Sequence, residues 1–261
     1  MTGGGTGIGA ATARVLAGKG WRVTVTGRRA DPLRAVADEI GGLASVGDTG
    51  DAGDCARCVE ETLSARGRLD GLVLNAGIVI PGTVEETTPE DWELTLRVNL
   101  TGPYLMARAA MKHLRAARGA IVTVGSVAST QASGRAPAYA ASKAGLAMLT
   151  RVLAIDHGPE GVRANCVCPG WTRTEMGDSD MAEYARAHGV SVDDAYAHAT
   201  QFVPQRRPAD AAEVARAIAW LLSDDASYMN GALVNVDGGT TVVSAGMLPM
   251  SMEIGSADGS G

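Results

Sequence analysis

The sequence predicts an α/β protein built on a doubly wound, parallel sheet in a single domain. Short apolar runs rich in Val, Ile and Leu alternate with helical stretches along most of the chain. These runs are continuous, which is typical of strands covered by helices on both faces of a sheet and joined by right-handed crossovers. The composition agrees, because 34 glycines and 4% aromatic residues favour an aliphatic core with closely packed backbones.

The predicted elements follow one another without an internal repeat or a low-complexity linker. Strands are predicted over residues 22–26, 42–46, 69–74, 120–124, 164–168 and 233–236. Helices are predicted over residues 10–19, 32–40, 54–66, 89–115, 138–157 and 211–222. We expect the domain to span residues 1–239, with a polar helical insertion at 175–207 and a tail at 240–261 whose Gly/Ser-rich end, 255–261, is disordered.

Charge and hydropathy exclude several classes of partner. The 23 Lys+Arg and 29 Asp+Glu give a net charge of −6, and no block of basic residues offers a footprint for nucleic acid or anionic lipid. No apolar run approaches the roughly 18 residues of a membrane span. The Gly-rich opening lacks the charged and apolar regions of a signal peptide. We therefore expect a cytoplasmic protein that binds neither nucleic acid nor membranes.

The cysteines form two short motifs, each with two interpretations. Cys55 and Cys58 form a C-x-x-C motif, which can mark a metal or redox site, but they lie in a predicted helix without further ligands at metal-binding spacing. Cys166 and Cys168 alternate along a predicted strand. We interpret both pairs as small apolar core residues and predict no metal site.

The chain opens with a glycine-rich segment directly before a helical pattern. Glycines at such spacing let the backbone turn tightly and approach a pyrophosphate, whose charge is met by backbone amides and the positive end of the next helix. A flexible N-terminus has a similar composition, so this segment alone leaves nucleotide binding open.

Six signatures, in the same order, resemble those of the short-chain dehydrogenase/reductase family. They are Gly3, Gly7 and Gly9 of a T-G-x-x-x-G-x-G loop, the N-A-G turn Asn75-Ala76-Gly77, the helix Asn99, the Ser126…Tyr139-x-x-x-Lys143 set, Pro169, Gly170 and Thr174 of P-G-x-x-x-T, and N-V-D-G-G at 235–239. The resemblance covers residues 2–239 and is greatest to 3-oxoacyl-acyl-carrier-protein reductase-like members. It implies a Rossmann fold and an NAD(P)-dependent oxidoreductase.

Tyr139 and Lys143 lie four residues apart on a predicted helix that Pro137 helps to start, so their side chains share one face. A free phenol is a poor base at neutral pH, and an adjacent ammonium stabilises its phenolate form. The alternative interpretation is an exposed Tyr/Lys pair without a catalytic role, since such pairs at this spacing are common on helices. The presence of Ser126 and the glycine-rich loop favours the catalytic interpretation.

The resemblance implies a role for each of these side chains. Tyr139 exchanges a proton with the oxygen of a small-molecule ketone or secondary alcohol during hydride transfer, and Ser126 hydrogen-bonds the same oxygen. Lys143 also holds the nicotinamide ribose, and Asn99 positions a water in a proton relay. A hydrolase triad has no support, because Ser126 lies in no G-x-S-x-G motif. The alternative is a non-catalytic sensor of nicotinamide dinucleotides, which has no need of these four residues.

Cofactor choice depends on the residues at the end of the second strand of the family fold. Members that use NAD usually carry an acidic residue there, whereas this chain has Gly27 followed by Arg28 and Arg29. An arginine can pair with the 2′-phosphate of NADP(H), and we therefore favour NADP(H) over NAD(H). The other interpretation is that Arg28 and Arg29 form a solvated turn. In addition, Thr6 lacks the basic side chain that some NADP-dependent members carry in the glycine-rich loop. The predicted cofactor-binding residues are Gly3, Gly7, Ile8, Gly9, Arg28, Arg29, Asp48, Asn75, Ala76, Gly77, Tyr139, Lys143, Pro169, Gly170, Thr172 and Thr174.

The sequence departs from the family at its start. The family has an apolar, central strand before the position of Thr2, and here only Met1 precedes it. Without this strand, the protein loses the free energy of its ladder hydrogen bonds and of its buried side chains. That loss is comparable to the roughly 5–15 kcal/mol by which a typical protein is stable. We therefore expect a first strand to be missing and the native gene product to begin upstream, with Met1 an internal GTG codon for Val that was taken as the start.

The insertion at 175–207 has two interpretations. Its apolar side chains, Met176, Met181, Tyr184, Tyr196 and Phe202, suit either an apolar-lined substrate lid or an amphipathic segment packed on the body. The long helices at 89–115 and 138–157, by family resemblance, form a four-helix dimer interface within a homotetramer.

Overall fold

The computed structural model describes residues 1–132 and 134–244. Its α-helices are α1 Gly7–Gly18, α2 Ala30–Ile40, α3 Ala52–Arg66, α4 Pro89–Leu96, α5 Gly102–Ala117, α6 Pro137–His157, α7 Glu175–His188, α8 Val192–Ala199 and α9 Ala211–Leu222. Its strands are β1 Thr24–Gly27, β2 Leu43–Val46, β3 Gly71–Leu74, β4 Ala120–Val124, β5 Arg163–Pro169, β6 Thr172–Arg173, β7 Ala209–Asp210 and β8 Leu233–Val236. The predicted disordered end at 255–261 lies outside the described residues.

The strands pair in parallel and are covered on both faces. β1 pairs with β2, and β3, β4, β5 and β8 form a second group in that order. One aliphatic cluster packs α1, α2 and α9 against the sheet, and another packs α3, α5 and α6 against it. The predicted single-domain, doubly wound Rossmann fold is confirmed.

The first two residues join the two groups of strands. The Thr2 amide donates to the Val73 carbonyl at 2.9 Å and the Thr26 amide donates to the Met1 carbonyl at 2.9 Å, so Thr2 lies between β1 and β3. Next to this bridge a cavity of about 680 Å³ separates the groups, and its lining includes Trp21 and Leu72. Residues 22 and 23 were predicted as strand, but they face this cavity and β1 begins at Thr24.

The predicted helix at 89–115 is divided by a π-helical turn at Arg97–Thr101. Pro103 follows in the first turn of α5 and has no N–H, so it cannot donate to the carbonyl of Asn99 as an α-helical residue would. The wider turn places Asn99 inside the protein, where it is fully buried. Such turns are frequent at functional sites.

The insertion forms a separate small unit. Its helices α7 and α8 follow β6 and precede β7, and the two short strands pair with each other. Met181, Ala185, Ala195 and Tyr196 form a buried cluster between α7 and α8. Across the described part of the chain, no helix is both long and apolar enough to span a membrane.

Candidate active site

A cleft of about 1550 Å³ opens where the strands end at their carboxyl edge. Parallel α/β sheets bind ligands at this edge, because the loops that follow the strands diverge there. The body of the protein lines one side of the cleft, and α7 and α8 line the other. All the predicted catalytic and cofactor-binding residues line it except Gly9 and Asn99, which lie directly behind its wall.

Lys143 and Tyr139 occupy one face of α6, which begins at Pro137 as predicted. The Lys143 ammonium is buried, donates to the Val124 carbonyl at 2.8 Å and lies 5.6 Å from the centroid of the Tyr139 ring. Val124 is the last residue of β4. The sheet therefore fixes the cation beside the phenol.

Ser126 follows β4 and caps a short helical turn at Val127–Ser129. Its Oγ accepts from the Ala128 amide at 3.1 Å, while its own amide donates to Ser129 Oγ at 3.1 Å. The hydroxyl keeps its hydrogen for another acceptor. Ser126 and Tyr139 both line the cleft.

Asn99 holds the neighbouring loop in place. Its Oδ1 accepts from the Ile78 amide at 2.8 Å, and its Nδ2 donates to the Ile78 carbonyl at 2.9 Å and to Ser142 Oγ at 3.1 Å. Ser142 in turn donates to the Tyr139 carbonyl at 2.7 Å. The side-chain amide is thus committed to protein partners and links the loop at residue 78 to the helix that carries Tyr139.

The glycine-rich loop has little room for side chains. A Cβ on Gly9 would lie 1.9 Å from the Gly3 carbonyl oxygen, and Gly3 and Gly7 adopt positive φ angles of 62° and 53°. Asn75 Nδ2 donates to the Thr2 and Gly3 carbonyls at 3.1 and 3.0 Å. The N-cap residue of α1, Thr6, makes no side-chain capping bond. Backbone and helix end therefore face the cleft, as a bound pyrophosphate requires.

Arg29 is engaged in a way that the sequence did not predict. Its Nη1 and Nη2 donate to the two carboxylate oxygens of Glu175 at 2.8 and 2.7 Å, and Nη2 donates to Thr6 Oγ1 at 3.3 Å. The Arg29 guanidinium holds the pKa of the Glu175 carboxyl below its ordinary value. Arg28 also lines the cleft, and no salt bridge involves it within residues 1–132 and 134–244.

The loop after β5 closes the same end of the cleft. Thr172 Oγ1 donates to the Gly170 carbonyl at 3.0 Å, and Thr174 Oγ1 accepts from the Gly177 amide at 3.1 Å, which caps α7. A Cβ on Gly7 would lie 3.2 Å from Thr174. Asp48, predicted near the adenine, accepts from the Gly50 amide at 2.8 Å and also lines the cleft.

The apolar side chains of the insertion lie in two different surroundings. Met176, Met181 and Tyr184 line the cleft, whereas Tyr196 lies in the core of the insertion, where its hydroxyl donates to Asp178 at 3.0 Å. Phe202 does not line the cleft.

The cleft also contains several polar residues that the sequence did not indicate, among them Asp180, His188 and His198. Met176, Asp180, Tyr184 and His188 recur every four residues, so the helical spacing could have revealed the first two of these polar side chains. Burial raises the pKa of the Asp180 carboxyl.

The cysteines are free and buried. Cys166 and Cys168 lie on β5 with their sulfur atoms 3.8 Å apart, and the hydrogen bond between them lowers the pKa of the Cys166 thiol. In the described part of the chain, no group of three or more His, Cys, Asp or Glu residues could hold a metal ion.

Comparison with known proteins assigns the family. A family model described as enoyl-(acyl carrier protein) reductase matches residues 3–241. Protein MoaE of Klebsiella aerogenes is 39% identical over 93% of this chain and 95% of its own length, and meso-2,3-butanediol dehydrogenase of Serratia marcescens is 33% identical over 92% and 93%. A variant of the actinorhodin polyketide ketoreductase, solved with NADPH, has a TM-score of 0.87 and 31% identity over 92% of this chain and 95% of its own.

Matches of this length and identity confirm what the motifs indicated. The chain belongs to the short-chain dehydrogenase/reductase family of NAD(P)-dependent oxidoreductases.

Proposed function

We propose that this protein transfers a hydride between NADP(H) and a small ketone or secondary alcohol, with Tyr139 as the general acid and base. The observation that carries this proposal is the buried Lys143 ammonium, held by the Val124 carbonyl 2.8 Å away and 5.6 Å from the Tyr139 ring. Burying a cation is costly unless it is well bonded. Here the charge stabilises the phenolate that forms when Tyr139 gives up its proton.

The end of the cleft near the glycine-rich loop fits a dinucleotide. Gly3, Gly7 and Ile8 would meet the pyrophosphate, Asp48 the adenine, and the loops at 75–77 and 169–174 the nicotinamide end. The close packing at Gly9 supports this fit. Because Gly9 has no side chain, the loop lies directly on α1, and its backbone amides can approach a ligand. When bound, the nicotinamide supplies or accepts the hydride, and the protein supplies placement and charge.

The protein side chains move the proton. In the direction of reduction, Tyr139 donates its proton to the carbonyl oxygen while Ser126 donates a hydrogen bond to the same atom, and oxidation reverses both steps. The side chain of Asn99 is occupied by Ile78 and Ser142. We therefore assign the contact with a relay water to the main-chain carbonyl of Asn99. This carbonyl has no α-helical donor, because Pro103 has no N–H.

The choice of NADP(H) rests on Gly27 and Arg28. β1 ends at Gly27, where family members that use NAD usually carry a carboxylate, and Arg28 lines the cleft. We expect NADPH to bind about tenfold more tightly than NADH in parallel fluorescence titrations, since a charge-assisted hydrogen bond contributes about 1.5 kcal/mol. The variant Arg28→Gln should lose this preference and keep its affinity for NADH. Equal affinities of the wild type for both dinucleotides would contradict the assignment.

Turnover tests the reaction itself. The absorbance of NADPH should fall when ketones or diketones are added, and should rise when NADP is supplied with secondary alcohols such as 2,3-butanediol. Met176, Asp180 and Tyr184 on α7 line the cleft, so we assign substrate selection to residues 175–207. Dinucleotide binding without turnover across such a panel would favour a sensor instead.

A homotetramer is supported by exposed apolar side chains on α4, α5 and α6. Trp92, Tyr104, Met148, Val152 and Ile155 are all exposed, and the last three share one face of α6. We expect sedimentation as a tetramer for the wild type and as smaller species for Ile155→Glu. The matched control is Val84→Glu, which places the same charge at another exposed apolar residue outside these helices. A wild-type monomer would overturn the proposal.

A further inference from the structure

The ion pair between Arg29 and Glu175 crosses the cleft. Arg29 follows β1 on the body, and Glu175 is the first residue of α7 on the insertion, 146 positions later in the chain. Two hydrogen bonds of 2.8 and 2.7 Å join them, and Thr6 adds a third contact to the guanidinium at 3.3 Å. Three of the five N–H donors of Arg29 are therefore engaged by groups of the protein.

The position of Arg29 makes these contacts relevant to cofactor binding. Arg28 and Arg29 are the cations that follow β1, next to Gly27, and both line the cleft. A 2′-phosphate beside Arg28 would also meet Arg29, whose forked donors Glu175 now occupies. The pair is weak, because its two side chains are 59% and 58% exposed, and a phosphate of nearly two negative charges can compete for the same guanidinium.

We propose that Glu175 tunes dinucleotide choice by competing with the 2′-phosphate of NADP(H) for Arg29. This inference rests on the proposed binding of NADP(H) in the cleft. The carboxylate acts as an internal anion that a phosphate must displace, so it lowers the affinity for NADP(H) and leaves the affinity for NAD(H) almost unchanged. Glu175 is thus a specificity-determining residue located on the substrate side of the cleft.

The test measures binding of two ligands that differ only in the phosphate concerned, adenosine 2′,5′-bisphosphate and adenosine 5′-monophosphate. The variant Glu175→Gln keeps the size of the side chain and removes its charge. We expect it to bind the bisphosphate three- to tenfold more tightly than the wild type by calorimetry, and the monophosphate with less than a twofold change.

The matched control is Glu39→Gln. Glu39 accepts two hydrogen bonds of 2.8 Å from Arg14, its exposure is similar, and it does not line the cleft. This variant changes the net charge equally and should affect neither ligand. In an Arg29→Gln background, Glu175→Gln should lose most of its effect on the bisphosphate, because the competition acts through the guanidinium.

Each other outcome overturns the inference. Equal tightening of both ligands would show a general charge effect, and weaker binding of the bisphosphate would show that Glu175 orients Arg29 for the phosphate. An unchanged affinity for the bisphosphate, or no binding of either ligand to the wild type, would show that the ion pair does not compete with a phosphate here. The reaction is tested separately, because these ligands carry no nicotinamide. A protein that binds them as expected but reduces no ketone keeps this inference and loses the proposed activity.

Discussion

Replacing Tyr139 by Phe is expected to lower kcat about a thousandfold while the affinity for NADPH changes less than twofold. A positioned general acid contributes about 10² to 10⁴ in rate. Phe keeps the ring that packs near Lys143 and removes only the hydroxyl. The loss should therefore appear in the chemical step and leave the fold and the cofactor site intact.

The measurement is steady-state turnover of a ketone that the wild type reduces, combined with NADPH titration and thermal unfolding. Tyr228→Phe is the matched control, since Tyr228 is fully exposed and outside the cleft, and it should retain full activity. A Tyr139→Phe enzyme that retains more than about a tenth of the wild-type kcat would remove Tyr139 from the proton transfer.

Replacing Gly9 by Ala is expected to lower the free energy of unfolding by about 3 kcal/mol and to abolish tight NADPH binding. The new methyl group would lie 1.9 Å from the Gly3 carbonyl oxygen and 2.7 Å from Asn75 Nδ2. The loop must move away from α1, which breaks the hydrogen bond from Asn75 to the Gly3 carbonyl. The same movement displaces the amides that face the pyrophosphate.

Thermal unfolding and NADPH titration measure the two effects. A loss of about 3 kcal/mol corresponds to a fall of roughly 6–12 °C in Tm for a domain of this size. Gly18→Ala is the control on the same helix, because a Cβ at Gly18 meets no atom within 4 Å, and it should be neutral or slightly stabilising. A Gly9→Ala variant with the wild-type Tm would show that the loop packs more loosely than described.

The fold and the pairing of Tyr139 with Lys143 could be predicted because they depend on local patterns. Continuous apolar runs identify the buried strands, and a four-residue spacing after Pro137 places both side chains on one face of α6. The motifs also identified Asn99. Its local geometry was missed, although Pro103 four residues later was a signal that the helix could not continue regularly.

The contacts across the cleft could not be predicted in this way. Arg29 and Glu175 meet only because α7 packs over the glycine-rich loop, where Thr174 lies close to Gly7. Such contacts depend on the angle between the insertion and the body, which no spacing in the sequence encodes. The same angle decides which side chains of the insertion face the cleft and which are buried in its core. Tyr184 and Tyr196 look alike in the sequence, but Tyr184 lines the cleft and Tyr196 lies in the core of the insertion.

The short strands β6 and β7 bring the two ends of the insertion side by side, with Thr172 opposite Ala209. The segment between them has a core of its own, formed by four residues of α7 and α8. A segment with adjacent ends and its own core can be exchanged between related proteins as one cassette, because few packing contacts across its boundary must be rebuilt. Grafting this cassette from a relative therefore offers a route to new substrate ranges that keeps Ser126, Tyr139 and Lys143 in place, while it also exchanges Glu175.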